Sequence, residues 1–326
     1  MLIVNPNLCI DRTITLERLV PGNVHRTGTV VTSLGGKGIN VARVARSFER
    51  PSPIIGFLPS KDGEQLTELA QREGADLVGI SVEGNVRITS ILLEKSGRVS
   101  VLNEPGATVT SPDWEFLLSR IEASANAHAS VACSGSLPPG SPIDAYGMVV
   151  HVARRCGLFS VVDATGDVLA AALGASPDVV SPNLSEAEAV LFGRVGEVVE
   201  PSGPDVVARA GRAVVGLVER GARRAIVSAG SHGAAFNVGH EVLWVAAPTV
   251  NVANPIGAGD SLVGGLIHAL ELGRVWEDAV RFAITTASAS CESLTAGAID
   301  PARVDELMAS ASPTSVLCDY ERSGRP

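Results

Sequence analysis

The stretch NPIGAGDS (254–261) sets small residues, Gly257, Ala258 and Gly259, where an apolar helical pattern begins, with Asp260 next. A helix N-terminus exposes unpaired N–H groups and a partial positive charge, so a chain this bare can bring an anion close to its backbone. A P-loop would continue with lysine and then serine or threonine; an aspartate stands there instead, and the P-loop reading fails. A carboxylate beside a phosphate cradle can take the proton from an attacking hydroxyl while the amides meet charge on the transferred group. It can equally cap the helix, and the residues alone leave both roles open. A second glycine turn, SLGGKGINVAR (33–43), opens another helix and carries Lys37 for an anion and Asn40, one turn in, for hydroxyls. CSGSLPPG (133–140), SPNLSEAE (181–188) and VSAGSHG (227–233) put small or polar residues at the carboxyl ends of apolar runs, the edge at which open α/β sheets bind ligands.

The elements that would hold these turns follow from hydrophobic period. Short Val- and Ile-rich runs (LIVNP, PIIGF, DLVGI, SVACSG, FSVVDA, DVVSPN, AIVSAG) read as buried strands. Between them lie helical patterns starting near residue 38 and around 62–73, 113–124, 143–155, 185–192 and 205–220. In the first, Val41, Val44, Ala45 and Phe48 share one face. Alternation of this kind predicts an α/β fold, a doubly wound and mostly parallel sheet. Two segments break the rhythm: residues 13–34 and 85–103 alternate polar and β-branched residues, the second turning at KSGR, and read as a small antiparallel β lid. Its apolar face and open edges call for cover, which a ligand site or a second copy of the chain can supply. The expected division is a core of residues 1–12, 35–84 and 104–312, the lid, and a loosely held tail at 313–326. The last third reads as a hairpin (GAAFNVGHEVLWVAAP) and two helices, the first stopped by Gly273.

Composition narrows the classes of function. The chain has 326 residues, 45% of them hydrophobic, with a net charge of −9, enough for a large core and wrong for nucleic acid without a clustered basic face. Lysine occurs only at 37, 61 and 95. The five cysteines show no metal-ligand or disulfide spacing and read as buried thiols of a reducing cytoplasm. No apolar run is long enough to span a membrane, and MLIVNPNLCIDR lacks the pattern of a leader. The histidines pair with no serine or cysteine, the tryptophans read as packing residues, Asp163 as a strand-end cap or a site residue, and Glu188 as solvent-facing. A dinucleotide oxidoreductase is disfavoured, since no G-x-G-x-x-G follows the first strand.

In this order, GGKGINVAR, GSLPPG, VSAGSHG and GAGDS, with the alternating segments between them, resemble the phosphofructokinase-B carbohydrate kinases of the ribokinase-like superfamily, from about residue 2 to 300. NPNLCID, GGKGIN, NEPG and the arginine of the second lid segment look most like the branch of 1-phosphofructokinase and tagatose-6-phosphate kinase. The resemblance implies a cytoplasmic enzyme moving the γ-phosphoryl of ATP, with Mg2+, to a hydroxyl of a sugar phosphate such as fructose 1-phosphate or tagatose 6-phosphate. It implies Asp260 as base and Gly257, Ala258 and Gly259 as anion hole. Asp11, Gly36 and Asn40 would hold sugar hydroxyls, and Lys37, Arg87 and Arg26 the phosphate already on the acceptor. Asn183 and Glu186 would order the magnesium hydration shell, Glu186 through water, and Ser228, Gly230 and Gly233 would line the nucleotide. A homodimer through the lid is expected on the same ground. The chain departs from its relatives at Ser181, where Lys-Pro-Asn is usual, at Val24, where some carry a further lysine, and at Pro255 and Ile256, where Thr-Val is commoner. A kinase of an unphosphorylated sugar or nucleoside, and a sugar-phosphate sensor that has lost turnover, are the alternative readings.

Overall fold

The computed structural model describes residues 1–193 and 201–319. β1 (Leu2–Asn7) is buried along its whole length, as a strand covered on both faces must be. After Leu8 the chain runs straight into β2 (Cys9–Leu16) and returns in β3 (Val30–Gly35), so the lid grows directly out of a core strand. α1 (Lys37–Ser47), β4 (Ile54–Lys61), α2 (Gly63–Glu73) and β5 (Leu77–Asn85) follow; α2 stops at Gly74, in the left-handed region at φ +64°. The chain then re-enters the lid as β6 (Arg87–Glu94) and β7 (Val99–Asn103). The central repeat is α3 (Ser111–Ser124), β8 (Ser130–Ser134), α4 (Ala145–Arg155), β9 (Phe159–Asp163), α5 (Gly166–Leu173), β10 (Val179–Val180) and α6 (Leu184–Phe192). α7 (Val206–Glu219), β11 (Ile226–Ser228), β12 (Gly233–Val238), β13 (Glu241–Ala246), α8 (Ala258–Glu271), α9 (Trp276–Ser290), α10 (Pro301–Ser310) and β14 (Ser315–Asp319) complete it.

The main sheet has the order β10-β9-β8-β1-β4-β5 and is parallel throughout. Alternate residues of each strand enter different helical layers. Leu2, Val4 and Ile55 pack with Trp114, Tyr146 and Val214 on one face, while Ile3 and Ile54 pack with Ile39, Leu66 and Leu266 on the other. Phe57 meets Trp114 edge to face with ring centres 5.3 Å apart, a geometry worth about 0.5–1.5 kcal/mol beyond the buried area. A second sheet, β11-β12-β13-β14, is antiparallel and is joined to the first by single parallel bridges, Val180 to Ala225 and Asn183 to Ser228. The lid has the order β3-β2-β6-β7, antiparallel at both outer pairs and parallel between β2 and β6. Because β2 begins at Cys9, Asp11 stands on the lid.

Three elements differ from the sequence expectation. α5 was not anticipated: it buries Leu169, Ala172 and Leu173, but two helical turns between glycines are too short for an apolar period to stand out. A third helix, α10, follows the hairpin, its start marked by Asp300 accepting from the Ala302 N–H at 3.0 Å and by Pro301. Residues 315–319 of the expected loose tail form the edge strand β14, paired with β13 and packing Leu317 onto the core, while residues 320–326 lie outside the described residues.

Leu317 touches the space beside Gly211, where an added Cβ would stand 3.2 Å from it. Leu317→Asp would press a charge against the face of Val242 and α7, so the expected outcome is a melting temperature several degrees lower with increased light scattering on heating. Unchanged melting would show that β14 does not hold the β13 edge.

Candidate active site

In the main sheet the chain leaves β1 toward β4 on one side, while β8 lies on the other. Loops therefore diverge at the carboxyl ends of β1 and β8, the crevice that ligands use in open α/β sheets. Asn5, near the end of β1, is buried, and its Oδ1 accepts from the Gly38 N–H at 2.6 Å, pinning the start of α1. Gly36 at φ +126° closes the turn, and a Cβ there would lie 2.7 Å from that same Oδ1. Helix α1 thus delivers Lys37 into the crevice. Its Nζ lies 3.4 Å from Asp163 Oδ2 at the end of β9 and 3.9 Å from Glu186 Oε1 on α6. Ser134 at the end of β8 donates to the same Asp163 oxygen at 3.3 Å. Burial of the Lys37 ammonium opposes its charge, but the surrounding carboxylates of Asp163, Glu186 and Asp260 outweigh it and hold the lysine protonated.

Gly257, the residue that caps the N-terminus of α8, sits at φ +82°. A Cβ on Gly257 would come within 2.9 Å of Ala296 Cβ and 3.2 Å of Asn40 Nδ2, whereas one on Gly259 would meet nothing within 4 Å. The space over the first turn of α8 is therefore open to an anion while its flank is closed. Asp260 is only 5% exposed, and its Oδ2 accepts from Asn40 Nδ2 at 2.7 Å. Burial pushes its carboxyl up to about 7, with Asp163 and Glu186 adding to the rise and Lys37 and the Asn40 hydrogen bond working against it. Asn40 Oδ1 in turn accepts from Arg43 Nη1 at 2.8 Å.

At the lid side, Arg87 is buried and donates from Nε and Nη2 to the Asn7 carbonyl at 3.1 and 3.0 Å, and its Nη1 makes no hydrogen bond to a described residue. Asp11 lies against Gly35, where a Cβ would be 2.2 Å from its carboxylate, and it accepts from the Cys9 thiol at 3.2 Å. Burial raises the Asp11 carboxyl, opposed by the Cys9 hydrogen bond and by the charges of Arg43 and Arg87. Burial likewise pushes the Cys9 thiol up to about 12. Arg26 is not brought into this group: it is exposed in the connection from β2 to β3 and makes no ion pair with a described residue.

Asn183 and Glu186 form a capping box at the start of α6. Asn183 Oδ1 accepts from the Glu186 N–H at 2.9 Å and Glu186 Oε2 accepts from the Asn183 N–H at 2.8 Å. Glu186 Oε1 is the oxygen turned to Lys37. Ser228 bridges to Asn183 along the sheet edge. Gly230 (φ +56°) and Gly233 (φ +128°) shape the following turn, and a Cβ on Gly233 would lie 2.1 Å from the Val245 carbonyl. Glu188, expected to face solvent, is instead buried and held by Arg209, Nε to Oε1 at 2.8 Å and Nη2 to Oε2 at 2.7 Å, because α7 packs over that face of α6.

From residue 5 to residue 303 the chain matches the family described as pfkB family carbohydrate kinase. The chain belongs to the pfkB family of carbohydrate kinases. A 1-phosphofructokinase of Haloferax volcanii is 33% identical to it over 289 residues, 88% of this chain and 90% of that protein. A 1-phosphofructokinase of Escherichia coli is 31% identical over 291 residues, 88% and 89% of the two chains. The solved structure of phosphofructokinase-2 from Escherichia coli in complex with fructose-6-phosphate has TM-score 0.80 and 26% identity, covering 95% of this chain and 98% of that one. The same enzyme in complex with potassium has TM-score 0.82 at 26% identity and the same coverage. The parallel sheet with its separate small sheet is the fold of these kinases, and the activity class is phosphotransfer to an alcohol group.

In this pfkB kinase the geometry brings Lys37, Asn40, Glu186 and Asp260 together and joins Asp11 and Arg87 at the lid base. It adds residues that the motifs did not single out. Asn5 is an amide inside an apolar strand, a detectable oddity, and Arg43 is a charge three residues beyond Asn40 on a packed helix. Glu73 could be found only in three dimensions.

The raised Asp260 carboxyl carries a stability signature. Its folded-state value of about 7 exceeds the ordinary 3.8, so the protonated form's contribution is full below the ordinary value and lost as pH rises through about 7. Asp260→Asn removes the buried charge, and at pH 8 its melting temperature is expected to exceed the parent's by a few degrees, the gap closing toward pH 4. A variant less stable than the parent at pH 8 would contradict this balance.

Proposed function

We propose that this kinase transfers the γ-phosphoryl of ATP to a hydroxyl of a sugar phosphate of the fructose 1-phosphate or tagatose 6-phosphate type, with Asp260 as general base. One observation carries the reading: a buried carboxylate, poised near neutrality and hydrogen-bonded on one oxygen only by a described residue, stands in the first turn of a helix opened by bare glycines. Asp260 accepts the proton of the acceptor hydroxyl as its oxygen attacks phosphorus. The N–H groups of Gly257, Ala258 and Gly259 meet the charge on the transferred group. The likeness to 1-phosphofructokinases supports the phosphorylated acceptor.

The site divides the remaining work. Asp11, Gly36 and Asn40 hold acceptor hydroxyls, and the Nη1 edge of Arg87 takes the acceptor phosphate. Lys37, engaged with Asp163 and Glu186, serves the transferred phosphoryl between donor and acceptor. Asn183, Ser228, Gly230 and Gly233 line the donor nucleotide. Asp163, Glu186 and Asp260 set three carboxylates against the one ammonium of Lys37, a charge excess that suits a divalent cation. No three His, Cys, Asp or Glu side chains among the described residues converge as a cage, which fits Mg2+ held largely through waters and phosphate oxygens, Glu186 ordering the waters. When bound, the ion offsets charge on the phosphoryl oxygens during transfer.

A homodimer through the lid and a cytoplasmic place belong to the same reading. Val31 and Leu102 are 57% and 63% exposed on lid strands and invite cover by a second copy. Arg26, out on the lid loop, comes to an acceptor phosphate only through movement of the lid or from that second copy. No helix among the described residues is long and apolar enough to cross a membrane.

Asp260→Asn is expected to lower kcat by roughly 10² to 10⁴ while both substrates still bind, and the parent's kcat should fall as pH drops below about 7, where Asp260 protonates. Near-full turnover in this variant would remove Asp260 from the chemistry. Arg87→Ala should raise KM for a sugar phosphate by about 10- to 100-fold, the scale of a lost charge-assisted hydrogen bond. A KM that does not move, in ADP-release assays over paired sugars and sugar phosphates, would point to a neutral acceptor.

A further inference from the structure

We propose that Arg43 is a positioning residue: it fixes the rotamer of the Asn40 amide that faces Asp260 and ties that amide to lid strand β3. The proposal rests on Asp260 being the base. Arg43 is buried on α1, and its guanidinium reaches three other segments of the chain. Nη2 donates to the Leu34 carbonyl on β3 at 2.6 Å and to Glu73 Oε2 on α2 at 2.7 Å, with Nε reaching the same Glu73 oxygen at 3.1 Å. Nη1 donates to Asn40 Oδ1 at 2.8 Å and to the Ala296 carbonyl, in the connection from α9 to α10, at 3.3 Å. Glu73 completes the grip on β3, its Oε1 accepting from the Leu34 N–H at 2.8 Å. One ion pair thus holds both backbone polar groups of a single lid residue, Leu34.

The chemistry of the guanidinium makes this arrangement directional. Arg43 has donors only, so the oxygen of Asn40 must face it and the NH2 must face Asp260. With Arg43 absent, the Asn40 amide is free to rotate and present its oxygen to the carboxylate, which removes the donor and opposes the charged form. Buried ion pairs add little net stability after desolvation, so the specific effect of the pair is orientation. Gly297 narrows the alternatives: at φ +75°, with an added Cβ only 2.6 Å from the Asn40 carbonyl, its segment closes over the same turn of α1. Arg43 is faced by Glu73 from α2 and Asp11 from β2, and Asp260 by Lys37 from α1, Asp163 from β9 and Glu186 from α6. A displacement of β3 at Leu34 therefore reaches Asp260 through three hydrogen bonds, Arg43 to the Leu34 carbonyl, Arg43 to Asn40 and Asn40 to Asp260.

The test is a double-mutant cycle on the full chain with Arg43→Met, Asn40→Ala and the double variant, with Asp260→Asn alongside. Arg43→Met is expected to lower kcat roughly tenfold or more, and to cost nothing further once Asn40 is alanine. Multiplying losses in the double variant would mean that Arg43 does not act through Asn40, and would overturn the proposal. Near-parental turnover in Asp260→Asn would instead overturn the base assignment, which separates the two failures. Hydrogen exchange of residues 30–35 reads the lid link: faster exchange is expected in Arg43→Met but not in Asn40→Ala, and equal exchange in both would sever it. If Arg43→Met does not fold, Arg43→Lys, which keeps the stem and charge but not the forked donors, goes through the same cycle with the same non-additivity required.

Discussion

The structure turns on a hydrogen bond of 2.7 Å between the Asn40 amide and the Asp260 carboxylate. A carboxyl this buried would be protonated and inert as a base if nothing favoured its charge. Lys37 and Asn40 supply that counterweight, both from α1, three residues apart on consecutive turns. Their placement depends on where α1 starts, which Asn5 sets through the Gly38 N–H and which Gly36 permits by having no side chain to strike Asn5. The position of a group on α8 is therefore governed by the end of β1, more than two hundred residues earlier in the chain.

The same strand end governs the lid. Because β1 passes into β2 with only Leu8 between them, Asp11 cannot drift far from Asn5, and Arg87 is locked to the carbonyl of Asn7. Gly35, the last residue of β3, must be bare for Asp11 to lie against it. Lid and core are thus joined at one seam made of β1, β2 and the turn before α1. Charge is concentrated there, with buried Arg43 and Arg87 and half-buried Asp11 and Glu73 gathered from α1, β6, β2 and α2.

Much of this was legible in the sequence where a repeating pattern carries the information. The parallel strands show as Val- and Ile-rich runs because both their faces are covered, and the lid shows as polar alternation because only one of its faces is. The glycine turns were legible as helix starts bare enough for an anion. The Asn-x-x-Glu spacing at 183–186 is also a capping-box signature, so those two residues have a local structural role besides any ligand. What could not be read was partnership across the chain. The turn that carries Lys37 reads as an anion site, but its charged neighbour Asp163 is 126 positions away and no spacing announces it. Glu188 looked like an exposed acid, because sequence spacing does not reveal which helix packs on top. Strand β14 escaped notice since an edge strand of five residues needs only one inward side chain, Leu317, to dock.

Several local rules are broken together in the crevice. The two hydrophobic layers are filled by residues that any packed sheet would accept, whereas the crevice collects a buried aspartate, a buried arginine, a lysine among acids and glycines at positive φ. Each of the buried charges costs stability by itself, through desolvation, and each is held by a neighbour that would not otherwise be needed. Asp260 requires Asn40, Asn40 requires a donor behind it, and that donor requires Glu73. Among the described residues, the poise of the carboxylate rests on the Lys37 ammonium and the Asn40 amide. Any motion of α1 therefore moves both counterweights together, which makes the start of that helix, rather than α8 itself, the element that sets how the carboxylate behaves.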